Sequence, residues 1–194
     1  MKQIVSRSII LIVMGCFLYG CGKYNGDKKR NTAEGFDKSV TKSEDEWVLY
    51  RSKDFSIQFP PLFKVDTSGY RKTRLILCSE LTDDGDMYED NIAVFIKDRE
   101  NSLSLEAYGK QCEGEIMKYT ESPELMNSSL KKKDGREYYE IIYSESQSTF
   151  RLIREQRIQF SGKKMYSVTL TCEDAVFDQC RNVGEAIMST FTIK

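Results

Sequence analysis

The 194-residue sequence contains no histidine. Imidazole is the usual general base near neutral pH and the commonest ligand of catalytic zinc, so Ser-His-Asp and Cys-His chemistry are both excluded. A lysine-based or paired-carboxylate mechanism survives that test, but no signature of either is present, and an enzyme is not expected. Cationic excess is also missing, with 29 Lys+Arg against 30 Asp+Glu. Nucleic-acid binding rests largely on phosphate neutralisation by Lys and Arg, so no nucleic-acid partner is expected. There is no Cys-x-x-Cys spacing, which argues against a redox-active dithiol. No apolar run reaches the roughly 20 residues that a spanning helix needs.

The longest apolar run, Ile9 to Leu18, follows a short basic segment carrying Lys2 and Arg7 and precedes Leu18-Tyr19-Gly20-Cys21. That is signal-peptide architecture. Leu18, Gly20 and Cys21 resemble a bacterial lipobox, with a bulky Tyr19 as the departure. Cys16, after Val13-Met14-Gly15, competes, but its use would cut the apolar run below the length such a region needs. Residues 1–20 are therefore read as a lipoprotein signal peptide and Cys21 as the lipidated N-terminus of the mature chain. The resemblance implies a diacylglyceryl thioether on Cys21 and an amide-linked palmitate-type chain, which together anchor stably where one acyl chain would be marginal. Gly22 in place of an aspartate points to the outer membrane. Removing Lys2 and Arg7 with the signal leaves 27 basic residues against 30 acidic ones.

Residues 21–46 are polar and charged, with too little apolar surface to order themselves, and read as a flexible tether. Lys28-Lys29-Arg30 lies close enough to the anchor to touch anionic headgroups. The remaining 47–194 has the size of one domain. In it, Phe55-Ser56-Ile57-Gln58-Phe59 alternates as a half-buried strand does, and Pro60-Pro61 ends it. Residues 74–79 and 91–97 read as strands apolar on both sides, as expected where both sheet faces are covered. Leu105, Tyr108, Cys112, Ile116 and Tyr119 form a helical stripe over 103–119, with Ser102 or Ser104 as its cap.

Beyond Pro123, strand pairs 127–133/136–144 and 149–160/163–172 flank Asp134-Gly135 and Ser161-Gly162. Asp-Gly between strands is a hairpin signal, because a type I′ turn needs positive φ at both central residues. A helix over 175–190 follows, with Phe177, Cys180, Val183, Gly184, Ile187 and Phe191 on or near one face. With Phe55–Phe59 counted as the second strand, after one that opens the domain, the order is four strands, helix, four strands, helix: an α+β domain in which an antiparallel sheet is flanked by helices.

In that order, the segments Phe55-Ser56-Ile57-Gln58-Phe59-Pro60, Asn91-Ile92-Ala93-Val94, Leu103-Ser104-Leu105-Glu106-Ala107-Tyr108, Gly162 through Leu170, and Phe177-Asp178 leading to Ser189-Thr190-Phe191 resemble the PsbP-like family (DcrB-type lipoproteins included). Photosystem accessory proteins, a Ran-binding nuclear protein and small bacterial envelope lipoproteins share that α/β/α sandwich. The resemblance covers nearly all of 47–194 and implies binding or assembly support without catalysis or cofactor. It transfers no active-site residue.

Four cysteines remain in the domain, 78, 112, 172 and 180, and they permit three pairings. Cys172 shares a strand face with Val168 and Leu170 while Cys180 lies on the helix expected to pack there, so Cys172–Cys180 is the favoured disulfide; buried thiols are the alternative. Asp83, Asp84 and Asp86 offer the hard oxygens calcium prefers, but their spacing is not that of a calcium loop, so they read as a solvated loop and no metal is expected. Lys131-Lys132-Lys133 reads as a solvated strand end. Tyr138, Tyr139 and Tyr143 alternate across a strand, which leaves two readings: outward rings that would join an interface, or ordinary strand fillers. The expected function is that of a membrane-anchored, noncatalytic lipoprotein of the cell envelope. Its domain would bind an envelope protein partner, in support of a complex or as an inhibitor, including of a toxin. The rival is a carrier of a small or lipidic ligand, which requires an apolar cavity.

Overall fold

Three consecutive hairpins build most of the main sheet, and each turns in two residues. Lys133 pairs with Arg136, Gln147 with Phe150 and Ser161 with Lys164, which strings together β6 (Glu124–Lys133), β7 (Arg136–Gln147), β8 (Phe150–Ser161) and β9 (Lys164–Glu173). Positive φ at the turns is supplied by Gly135 (76°), Gly162 (55°) and, between β7 and β8, by Ser148 (56°). The computed structural model of the chain describes residues 46–80, 88–99, 102–133 and 135–194.

Before the meander come β1 (Val48–Arg51), β2 (Phe55–Phe59), β3 (Lys64–Asp66), β4 (Thr73–Cys78), β5 (Asn91–Asp98) and helix α1 (Leu105–Tyr119); after it come α2 (Phe177–Ser189) and β10 (Thr192–Ile193). Five strands thus precede the first helix where four are expected, and a short tenth follows the second. A seven-stranded antiparallel sheet runs β3-β4-β5-β9-β8-β7-β6, and a separate three-stranded sheet runs β1-β2-β10. Neither β3 nor β10 has the length or alternation that periodicity can register.

Helix α1 is capped by the Ser104 hydroxyl, which accepts a hydrogen bond from the Ala107 N–H at 3.1 Å. Its buried stripe of Tyr108, Gly109, Cys112 and Ile116 packs on Tyr139, Ile141, Tyr143, Ile158 and Met165. The opposite face of the sheet carries a larger core, where Ile92, Val94, Ile142, Val168 and Leu170 meet Ile187 and Met188 of α2 and Tyr50, Phe55, Ile57 and Phe59 of the small sheet. The result is a three-layer α/β/α sandwich. Only one face of β5 is fully buried, with Ile92, Val94 and Ile96 inside and Ala93 and Phe95 half-buried, because α1 lies over β6–β8. That corrects the expectation of two covered faces there. Val183, expected near the packed face of α2, is exposed, and Gly184 takes the buried place. Among the described residues, no helix is long and apolar enough to cross a membrane.

Candidate functional site

Two features stand out from the packing: a buried ion cluster under α2 and an exposed apolar strip along the free edge of the sheet. The cluster arises because β7, β8 and α2 each send charged side chains to one place. Glu140 on β7 and Glu155 on β8 are 1% and 0% exposed, and Arg157 lies two residues beyond Glu155 on the same strand face. Arg157 donates to Glu155 Oε1 from Nη2 at 2.6 Å and from Nε at 3.0 Å, and its Nη2 lies 2.8 Å from Glu185 Oε1 on α2. Arg181, one turn before Glu185, donates to Glu155 Oε2 at 3.0 Å. Glu140 is held by the Lys131 ammonium, by the Asn127 amide at 3.4 Å and by Arg157 at 3.8 Å.

Three carboxylates therefore face three cations, and the charges balance. Burial pushes the Glu155 carboxyl above its ordinary value. Burial also works to raise Glu185, but the hydrogen bond and charge of Arg157 outweigh it and leave that carboxyl below the ordinary value. Oxygens of Glu140, Glu155 and Glu185 come within 4.8 Å of one another, the approach a metal would need. The Arg157 guanidinium takes the bridging role, contacting all three. Chemically the arrangement is a fastening of α2 to β7 and β8, with each carboxylate already engaged. Nothing in the sequence flags it: Glu155 and Arg157 alternate on a strand beside the polar Arg154 and Gln156, as charges on a solvated face would.

On the other face, Arg154 is 6% exposed and donates to Glu145 Oε1 at 2.6 Å, Thr171 Oγ1 at 3.0 Å and Gln147 Oε1 at 3.3 Å. This cluster is likewise built to hold strands together.

The surface strip has a different character. β6 is the outermost strand of the seven, and its Leu125, Met126 and Leu130 are 37%, 53% and 43% exposed. Met117 of α1, 48% exposed, continues the helix side from which Lys110 reaches Ser128 Oγ at 3.5 Å, and Tyr119 is exposed at the end of that helix. Exposed apolar side chains gathered on adjoining elements mark interaction surfaces more often than scattered ones do. Of the two readings of Tyr138, Tyr139 and Tyr143, the structure favours strand fillers over an interface, which corrects the outward-facing one. Tyr139 and Tyr143 are 1% and 2% exposed beneath α1, and Tyr138 lies half-buried with the Arg157 guanidinium 5.3 Å from its ring centre. All three sit on an inner strand of the sheet, where both faces are covered.

Cys172, fully buried on β9, and Cys180, half-buried on α2, are joined by a disulfide with Cα atoms 6.4 Å apart. Cys21 and the acidic residues Asp83, Asp84 and Asp86 lie outside the described residues.

No protein-family profile matches the chain, and no curated protein matches it in sequence. Solved structures do. The chain is similar to the cyanobacterial PsbP (CyanoP) of Synechocystis sp. PCC 6803 at 14% identity and a TM-score of 0.56, covering 76% of this chain and 92% of that one. It is similar to LpqN of Mycobacterium tuberculosis, a protein involved in cell envelope biogenesis, at 11% identity and a TM-score of 0.56, covering 77% and 91%. It is also similar to PA94 of Pseudomonas aeruginosa, described as a protein of unknown function, at 16% identity and a TM-score of 0.53, covering 74% and 94%. The fold is PsbP-like. At these identities the likeness is one of fold, and function has to be argued from the surface.

Proposed function

We propose that this chain is an exported lipoprotein, cut before Cys21 and lipid-anchored there in the cell envelope, at the outer membrane, with residues 21–46 as tether. Its PsbP-like domain, 47–194, binds an envelope protein partner without catalysis. The observation that carries the reading is the strip of Met117, Leu125, Met126 and Leu130 along the sheet edge, apolar surface of the kind that partner binding covers. The lack of histidine and the engagement of the buried carboxylates with cations support a noncatalytic role. LpqN, of the same fold, works in cell envelope biogenesis, which fits an envelope setting here.

The test is an in-cell crosslinking pull-down of the tagged chain against its Cys21→Ala form, with mass spectrometry of what is retained. A specific envelope protein held by the lipidated bait and lost with Cys21→Ala supports the reading. A co-purifying small or lipidic molecule with no protein partner overturns it in favour of a carrier. Incorporation of labelled palmitate into the parent chain and not into Cys21→Ala checks the anchor separately.

A further inference from the structure

The two edges of the main sheet are unequal. β3, at one end, has three residues; β6, at the other, has ten, and seven of them are exposed. One side of β6 pairs with β7, and no described strand pairs with its other side. A long edge of this kind offers a row of backbone donors and acceptors to another strand.

Charge along β6 is polarised, with Glu124 at its start and Lys131-Lys132-Lys133 at its end. A bulge at Met126 shifts the alternation between Leu125 and Asn127. Glu124 pairs with Ser144, Asn127 with Ile142 and Ser129 with Glu140, while Leu125 pairs with Tyr143 and Leu130 with Tyr139. Cross-strand partners share a face. Glu124, Asn127, Ser129, Lys131 and Lys133 therefore lie on the α2 side, and Leu125, Ser128, Leu130 and Lys132 on the α1 side.

We propose that β6 pairs antiparallel with β6 of a second copy of this chain, about a two-fold axis through Ser129. In that register Ser129 faces Ser129, Ser128 faces Leu130 and Asn127 faces Lys131. The bulge takes up Met126, so Leu125 faces the stem of Lys132 and Glu124 faces Lys133. The symmetry makes each of these contacts twice. Two oppositely charged end pairs are thus formed, and every facing pair lies on a common side of the sheet. Lysines at a sheet edge ordinarily discourage pairing. Here they discourage the alternatives, because a parallel arrangement sets lysine beside lysine and a slip toward the lysine end takes Lys133 away from Glu124. The axis stands perpendicular to the sheet, so both α1 helices fall on one face and the two copies of the apolar strip adjoin along the seam. The inference rests on the same edge as the proposed function but concerns a different occupant.

The experiment uses the full-length chain in intact cells with Ser129→Cys, brief oxidation by copper-phenanthroline and a non-reducing gel. A reducible species of twice the chain mass is expected, and Ser128→Cys, whose side chain meets Leu130 instead of its own copy, gives little of it. Glu124→Lys in the Ser129→Cys background lowers the crosslinked fraction about fivefold or more, since it turns two attractive pairs into repulsive ones. Adding Lys133→Glu to that chain restores it. Equal crosslinking from positions 128 and 129, indifference to Glu124→Lys, or no crosslink at 129 overturns the inference. Capture of a different envelope protein with no self-crosslink at 129 overturns this inference and leaves the proposed function standing.

Discussion

The ring of Tyr139 on β7 fills the space in which Gly109 of α1 would carry a side chain: a Cβ built on that glycine would fall among ring atoms, closer than real Cβ contacts come. One turn further along α1, Glu113 accepts a hydrogen bond from the Tyr139 hydroxyl at 2.6 Å. The helix is thus seated on one aromatic side chain by a missing Cβ and a hydrogen bond together. On the other face a missing Cβ alone seats α2, where a Cβ on Gly184 would lie 2.5 Å from Leu170 Cδ2. Each helix meets the sheet, at one of its glycines, closely enough to leave no room for a Cβ.

Gly109→Ala must push α1 away from β7 or force Tyr139 off its rotamer, and is expected to lower stability by about 1–3 kcal/mol, as overpacking does. Gly114, on the same helix, has nothing within 4 Å of the place a Cβ would take. Gly114→Ala is therefore expected to raise stability by about 0.5–1 kcal/mol through helix propensity alone. Urea denaturation of the two variants checks both signs, and equal effects would show that α1 is not seated at Gly109.

Which parts of this architecture are legible in the sequence follows from how local their signals are. The Gly135 and Gly162 turns, the Ser104 cap and the stripe at 105, 108, 112 and 116 are each stated within a few residues. The hairpin between β7 and β8 is not, because Ser148 takes positive φ without a glycine or asparagine to announce it. Nor is the ion cluster, whose members at 131, 140, 155, 157, 181 and 185 meet only through strand order and the seat of α2. The tyrosines at 139 and 143 mislead for a related reason: alternation tells that they share a side, but not that α1 covers it.

Arg157→Met leaves Glu155 buried with Arg181 as its remaining cationic partner and is expected to cost about 3–5 kcal/mol at neutral pH, the usual loss when one member of a buried pair is removed. Because burial holds the Glu155 carboxyl above its ordinary value, its contribution to stability is full below that ordinary value and is lost as pH rises through the folded value. Without Arg157 the carboxyl rises further. The deficit of the variant against the parent should then narrow on acidification from about pH 8 to about pH 5, as Glu155 takes up its proton. Denaturation curves across that range check it. A deficit that is flat or grows in acid would show that Glu155 is not the group left uncompensated.

Reduction of the Cys172–Cys180 bond opens a tie between β9 and the start of α2, across a sequence separation of 8. A loop that short implies a loss of about 2–3 kcal/mol on the chain-entropy account. Cys172→Ala, Cys180→Ala and the parent in reductant should melt alike, below the oxidised parent. Hydrogen exchange should rise first in residues 177–184, where α2 loses its covalent hold. Unchanged exchange there would mean that packing at Ile187 and the ion cluster holds the helix unaided.

Met117→Asp with Leu130→Asp places two carboxylates in the strip proposed to meet a partner. Both positions are about half exposed, 48% and 43%, so little core packing is removed and thermal stability should stay within about 0.5 kcal/mol of the parent. Partner capture in the crosslinking pull-down, however, should fall tenfold or more, about the cost of burying unpaired charge at the centre of an interface. Leu62→Asp is the matching control: Leu62 is 69% exposed, but it precedes β3 at the opposite edge of the sheet. A strip that binds the partner makes capture sensitive to positions 117 and 130 and indifferent to 62. If Leu62→Asp weakens capture as much, the charge acts through the protein's overall field and the sheet edge is not the docking surface.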